Sequence, residues 1–177
     1  MAAYDFERLI IDLPDYPEPG VVFKDITPLL ADAEGFAAVV DSLAEHFADA
    51  GVTKVIGAEA RGFMVGAPVA RRLGAGFVPA RKPGKLPRET VSESYALEYG
   101  TDALEVHTDA ISADDVVLLV DDLVATGGTA VAQARLVERF GAKLAGMGFL
   151  MELAFLDPRK AIAQATDAEV FSLVKVS

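Results

Sequence analysis

The sequence predicts an α/β fold, with a mostly parallel central sheet flanked by helices. Three observations carry this. Short apolar runs of strand length alternate with segments of helical periodicity. One of these runs, Val116 to Val120, is apolar on both faces, as a central parallel strand must be. It leads through Asp121-Asp122 into Ala125-Thr126-Gly127-Gly128-Thr129, a small-residue loop of the kind that turns a strand into a helix. Strands alternating with helices imply right-handed crossovers between them.

The elements follow in order. Phe6, Leu9, Ile10 and Leu13 have helical spacing, and Pro14 ends that segment. Asp15 to Thr27, with Pro17, Pro19 and Gly20, reads as a loop. Phe36, Val39, Val40, Leu43 and Phe47 share one face of an amphipathic helix over Phe36 to Ala50, with Gly51 after its end. Lys54 to Gly57 is a short strand. Phe63 to Leu73 reads as a helix closed by Gly74, which Pro68 weakens or kinks. Gly76 to Ala80 and Val116 to Val120 are strands. Ala132, Leu136 and Phe140 share a helix face that Gly141 ends. Leu144 to Leu153 and Val170 to Val176 are late strands, with a short helix over Pro158 to Ala165 between them.

Composition removes several classes of function. A length of 177 residues suits one domain, and 52% apolar residues suffice for its core. A net charge of −11 argues against broad nucleic-acid binding and against an anionic membrane surface. There is no cysteine, hence no disulfide framework and no thiolate chemistry. Two histidines without cysteine exclude a structural zinc site. No apolar run is long enough to span a bilayer, and the N-terminal residues lack the basic and apolar regions of a signal peptide. A cytoplasmic protein with no membrane partner is expected.

The topology then locates the chemistry. In open α/β sheets, ligands sit beyond the carboxyl ends of the strands. The segments leaving strands are Ala58 to Gly62, Arg81 to Lys85 and Asp121 to Thr129. Glycines let backbone N–H groups approach phosphate oxygens, and the following helix adds its N-terminal donors. Two adjacent carboxylates suit the vicinal hydroxyls of a ribose. A second pair, Asp114-Asp115, enters the same strand from the opposite end and reads as a solvated turn. Between Pro79 and Thr90, Arg81, Lys82, Lys85 and Arg88 face a single Glu89. This stretch suits a polyanion such as pyrophosphate, or is a solvated basic loop. Lys82 to Gly100 is long for a connection in a compact domain and has the make-up of a lid. Within it, Val91 to Tyr99 alternates in part and pairs with Ala103 to His107. Taken singly, Phe23 reads as core, Arg61 as a helix-start surface residue and Glu98 as an exposed strand carboxylate. His46 and His107 read as surface residues.

Together the motifs become specific. The strand, Asp121-Asp122 and Thr126-Gly127-Gly128-Thr129 resemble the phosphoribosyl-pyrophosphate (PRPP) signature of the type I phosphoribosyltransferases. Pro19 to Leu30, Glu59-Ala60-Arg61-Gly62-Phe63, Arg81 to Pro87 and Tyr95 to Gly100 resemble, in order, the adenine phosphoribosyltransferase family. The likeness runs to about Glu152 and is weak past Asp157. It implies one phosphoribosyltransferase domain over residues 1–177, with a flexible lid at about 82–108 over the C-terminal strand edge. It also implies a reaction: adenine and PRPP give AMP and pyrophosphate, with Mg²⁺ held by PRPP and water and not directly by protein side chains.

The resemblance assigns roles. Ala125, Thr126, Gly127, Gly128 and Thr129 would hold the 5′-phosphate, and Asp121 and Asp122 the ribose hydroxyls. Arg61, beside a Glu59-Ala60 turn that in such enzymes often carries a cis peptide, would meet the pyrophosphate. Arg81, Lys82 and Lys85 would also serve it, in part across a homodimer interface. Val22, Phe23 and Lys24 would form the adenine pocket; Lys24 stands where the family often has arginine. Glu98 would act near the base as acid/base, so that Glu98 and Arg61 form the catalytic set. Two other functions fit the same motifs: a PRPP-binding regulator without catalysis, and a phosphoribosyltransferase for another purine. The retained Glu98 and Arg81 to Lys85 disfavour the first, and Val21 to Leu30 the second.

Overall fold

The computed structural model describes residues 4–96 and 101–177. After a 3-10 turn at Glu7–Leu9, the chain forms β1 (Ile11–Pro14) and β2 (Val22–Asp25). Helices α1 (Thr27–Ala31) and α2 (Ala33–His46) follow. Then come β3 (Lys54–Ala58), α3 (Arg61–Leu73), β4 (Gly76–Ala80), β5 (Thr90–Ala96) and β6 (Thr101–His107). The second half holds β7 (Val116–Val124), α4 (Gly128–Arg139), β8 (Lys143–Leu153), α5 (Pro158–Ala163) and β9 (Val170–Val176).

Five of these strands form one sheet in the order β4-β3-β7-β8-β9, and every pairing in it is parallel. The predicted α/β class is therefore observed. Strand β7 sits at the centre, covered on both faces like its neighbours β3 and β8. Adjacent residues of a strand point to opposite sides. Leu119 accordingly joins a core with Ile56, Leu136, Met147 and Phe149, while Leu118 joins another with Leu43, Val55, Val65 and Leu150. Burying each such side chain fully is worth about 1.5–3 kcal/mol. Two antiparallel ladders lie outside the sheet, β1 with β2 and β5 with β6. Strand β4 is an edge of the main sheet and carries Pro79; just past its end, Arg81 makes an antiparallel bridge to Glu105 of β6.

Three expectations are corrected. Phe6 to Leu13 is a single 3-10 turn followed by a strand, not a helix. All four residues of β1 are exposed, so the strand had no buried alternation to betray it. Its partner β2 lies inside the expected loop Asp15 to Thr27, which also contains the start of α1. Finally, β7 does not stop at Val120. It runs on to Val124, because β8 pairs with Asp121, Leu123 and Val124 as well. The helix through Pro68 forms, starting at Arg61. The short helix after Pro158 ends at Ala163. Among the described residues no helix is long and apolar enough to cross a membrane.

Candidate active site

Parallel strands place the segments after β3 and β7 at one edge of the sheet, and Lys82, just beyond β4, joins them. There they line a cavity of about 260 Å³. Its floor is Asp121 and Asp122, and its rim is Ala125, Thr126, Gly127, Gly128 and Thr129. Gly127 has φ 87°, a left-handed conformation that aims successive N–H groups the same way. Helix α4 starts at Gly128, and among the described residues no side chain caps it. Its first N–H donors are left for a ligand.

Both aspartates are buried, at 8% and 5% exposure. Asp121 accepts a hydrogen bond from the Asp122 N–H at 2.9 Å. Burial, and then the charge of Asp122, push the Asp121 carboxyl well above the usual carboxylate range. Asp122 has a cationic partner, Arg61 at the start of α3, with Nε 3.0 Å from its Oδ2. The close fit of α3 against β7 depends on Gly62. A Cβ there would lie 2.7 Å from Asp121 Oδ1. The peptide between Glu59 and Ala60 is cis, in the turn that presents Arg61.

The cations divide into two groups. Arg61 and Lys82 line the cavity. Arg81 turns to Glu59, with Nε 2.6 Å from its carboxylate, and also donates to the Lys85 carbonyl at 3.3 Å. Burial raises the Glu59 pKa, but the Arg81 guanidinium and a Lys82 N–H outweigh it and hold the carboxyl below its ordinary value. Neither Arg81 nor Lys85 reaches the cavity within this chain.

A second pocket of about 120 Å³ opens beside the first. Val21, Val22, Phe23, Lys24 and Ile26 line it, and it shares Arg61, Asp122 and Leu123 with the larger cavity. Phe23 is half-buried here, its ring 5.3 Å from Tyr16 in an edge contact, so it is pocket wall and not core. The Lys24 ammonium is engaged across the β1–β2 ladder, 2.6 Å from Asp12. Glu98 lies outside the described residues, as do Leu97, Tyr99 and Gly100.

One residue of the cavity, and one that holds its lysine, were missed in the sequence. Tyr95 on β5 lines it, and its hydroxyl reaches Asp102 on β6 at 3.4 Å. Asp102 in turn holds Lys82 at 3.0 Å. The Lys82 hydrogen bond draws the Asp102 carboxyl below its ordinary range. Nothing in a partly alternating strand separates Asp102 from any solvated carboxylate; only the fold brings it to Lys82. His46 is at the surface, as expected, but is not a free group. His46 stacks on Phe171 at 3.7 Å and meets Glu169 at 2.8 Å.

A parallel sheet, an Asp-Asp floor and a glycine cradle at a helix start define a phosphoribosyl transferase, and the family model of the phosphoribosyl transferase domain matches residues 26–174. The chain is 55% identical over 175 residues to the adenine phosphoribosyltransferase of Desulfitobacterium hafniense (strain Y51), covering 99% of each. It superposes with a TM-score of 0.91 on the crystal structure of adenine phosphoribosyltransferase from Thermoanaerobacter pseudethanolicus, at 48% identity, covering 97% of this chain and 98% of that one. The Saccharomyces cerevisiae enzyme, complexed with D-2,5-dideoxy-2,5-imino-altritol 1,6-bisphosphate and adenine, matches with a TM-score of 0.87 at 38% identity, covering 95% and 96%. The chain belongs to the adenine phosphoribosyltransferase family.

Proposed function

We propose that this chain transfers the 5-phosphoribosyl group of PRPP to adenine, giving AMP and pyrophosphate. One observation carries the reading: the two pockets share Arg61, Asp122 and Leu123. A polar cradle for a sugar phosphate thus opens directly onto an apolar slot that fits a flat base. The anomeric carbon of a ribose held on Asp122 would face that slot.

The chemistry needs three things from the chain. The ribose must be held still against the base. Asp121 and Asp122 accept its hydroxyls, and the N–H groups from Ala125 to Thr129 hold its 5′-phosphate. The departing pyrophosphate must find positive charge, which Arg61 and Lys82 supply. Water must be excluded from an oxocarbenium-like centre, and Leu104, Leu123 and Phe149 form apolar walls around it. Glu98 takes the proton-transfer role that the family resemblance gives it. Glu98→Gln is expected to lower kcat while PRPP still binds, and an unchanged kcat would remove that role.

Mg²⁺ fits this donor set. Among the described residues no group of three or more His, Asp or Glu side chains could hold a metal ion. The carboxylates of the floor are hard oxygen acceptors that suit a hydrated cation, and Mg²⁺ would be held by the PRPP phosphates and water, not directly by protein side chains. When bound it neutralises charge on the pyrophosphate.

Three further features belong to the same reading. Residues 1–177 act as one domain in which about 82–108 serve as the lid. The chain works as a homodimer, since Arg81 and Lys85 lie outside this chain's own cavity and Ile11, Tyr16 and Val22 leave apolar surface exposed. The reaction is read as cytoplasmic, a reading supported by a substrate too charged to cross a bilayer unaided.

Purified protein with PRPP and Mg²⁺, offered adenine, guanine, hypoxanthine, xanthine and uracil, tests the function. AMP formation from adenine is expected to dominate. Faster turnover of another base would overturn the adenine assignment, and PRPP binding without any turnover would favour a regulator.

A further inference from the structure

We propose that Arg159 and Glu152 are positioning residues for the phosphate loop, acting on it through helix α5. The proposal rests on the reading of Ala125 to Thr129 as the 5′-phosphate cradle, and it gives a role to the segment past Asp157. Glu152 is 2% exposed. It lies near the end of β8, in register with Val124, the residue before the loop. Arg159 on α5 grips it with two hydrogen bonds, Nε to Oε1 at 2.7 Å and Nη2 to Oε2 at 2.8 Å. Ser172 on β9 donates to Oε2 at 2.8 Å.

An ion pair with a buried carboxylate and a half-exposed guanidinium adds little net stability, because desolvation and solvent screening offset the attraction. What a two-point guanidinium–carboxylate contact supplies is geometry. It fixes where α5 sits relative to the ends of β7 and β8. The phosphate loop rests on that helix. A Cβ on Gly127 would lie 2.9 Å from the Pro158 carbonyl oxygen, 3.3 Å from Ala161 Cβ and 3.5 Å from Ile162 Cγ1. Pro158 and Ile162 are themselves buried, so α5 cannot recede without opening the core. Neither Arg159 nor Glu152 lines the cavity. Their action on a ligand is therefore through the backbone position of Gly127 and its neighbours.

Ribose 5-phosphate needs the loop, whereas pyrophosphate meets the cations on the other side of the cavity. Each is titrated calorimetrically into wild type and Arg159→Gln at fixed Mg²⁺. Ribose 5-phosphate affinity is expected to fall about 10-fold and pyrophosphate affinity to change less than about twofold. Equal weakening of both ligands, or of neither, would overturn the proposal. If Arg159→Gln does not fold, Arg159→Lys keeps the charge but not the planar fork. A smaller loss confined to ribose 5-phosphate is then expected, and its absence would count equally against the proposal. Gly127→Val separates this from the reading beneath it. Lost ribose 5-phosphate binding in Gly127→Val without a selective loss in the Arg159 variants would sink the positioning role alone. Intact binding in Gly127→Val would sink the cradle.

Discussion

Asp121 shows what the site demands of a single residue. It is a carboxylate that burial and its neighbour Asp122 both disfavour. A raised folded-state pKa means the unfolded chain bears the charge more easily, so ionised Asp121 subtracts from stability at neutral pH. That loss begins as pH climbs past the ordinary value of 3.8 and is complete above the raised value. Asp121→Asn is therefore expected to melt higher than wild type at pH 7, by roughly 2–4 °C for each kcal/mol regained. The gain should vanish near and below the ordinary carboxylate range, and turnover should fall by roughly 10²-fold. A lower melting temperature at pH 7 in scanning calorimetry would contradict the sign. The other acidic pair behaves differently. Asp114 is exposed, while Asp115 accepts from Ser112 N–H at 2.8 Å and from Thr53 Oγ1 at 2.7 Å. Asp115→Ala should lose about 1 kcal/mol of stability and keep its turnover, and Asp114→Ala should keep both. A large kcat loss in either would break the argument from opposite strand ends. The sequence distinguished these pairs by position alone, and read Asp115 as merely solvated where it in fact ties the turn to Thr53. Asp121 and Asp122 were legible because two carboxylates before a glycine loop have few structural reasons to exist. Tyr95 and Asp102 were not, since their roles depend on strand pairing.

At the scale of elements, the contact between α3 and β7 is set by Gly62. Helix propensity alone favours alanine over glycine by about 1 kcal/mol. Here the added methyl would meet a buried carboxylate at 2.7 Å, and Asp121 could give way only toward the cavity that it floors. Gly62→Ala is expected to stay folded and to lose about 10-fold or more in kcat/KM for PRPP. Steady-state kinetics with unchanged kcat/KM would show that Asp121 can shift without consequence. The elements that were legible are those whose burial pattern is strong, such as the apolar runs of β7 and β8 and the one-sided face of α2. The β1–β2 ladder was hidden because β1 is exposed throughout and no residue of β2 is fully buried, so their pairing leaves no periodic trace. The overrun of β7 was hidden because Asp121 and Asp122 look like the polar end of a strand. Backbone pairing with β8 carries the strand through them into the site.

For the whole molecule, the fold concentrates opposite charges where they are needed. A chain of net charge −11 presents Arg61 and Lys82 together at one edge of its sheet. Fold class followed from the alternation of elements, but the joining of two pockets at Asp122 did not, because β1 and β2 were not visible. The proposed homodimer is checked by sedimentation at assay concentration. A fully active monomer would show that one chain suffices, leaving Arg81 and Lys85 without a role in pyrophosphate binding.

Strand β4 has an open side, and open strands recruit other chains into aggregates. In β4, Gly76 donates to Thr53 and Ala80 accepts from Glu59, so these residues face β3. Alternation turns Phe77 and Pro79 outward. Pro79 has no N–H to offer there, and one step further Arg81 is already paired with Glu105. An incoming strand thus finds almost no template. Pro79→Thr would restore the missing donor and suit a strand. It is expected to leave turnover intact yet scatter more light on heating or concentration, and equal scattering would mean that another feature guards this edge. Protection of this edge thus falls to one imino acid and one backbone bridge, and Pro79 takes no part in the chemistry.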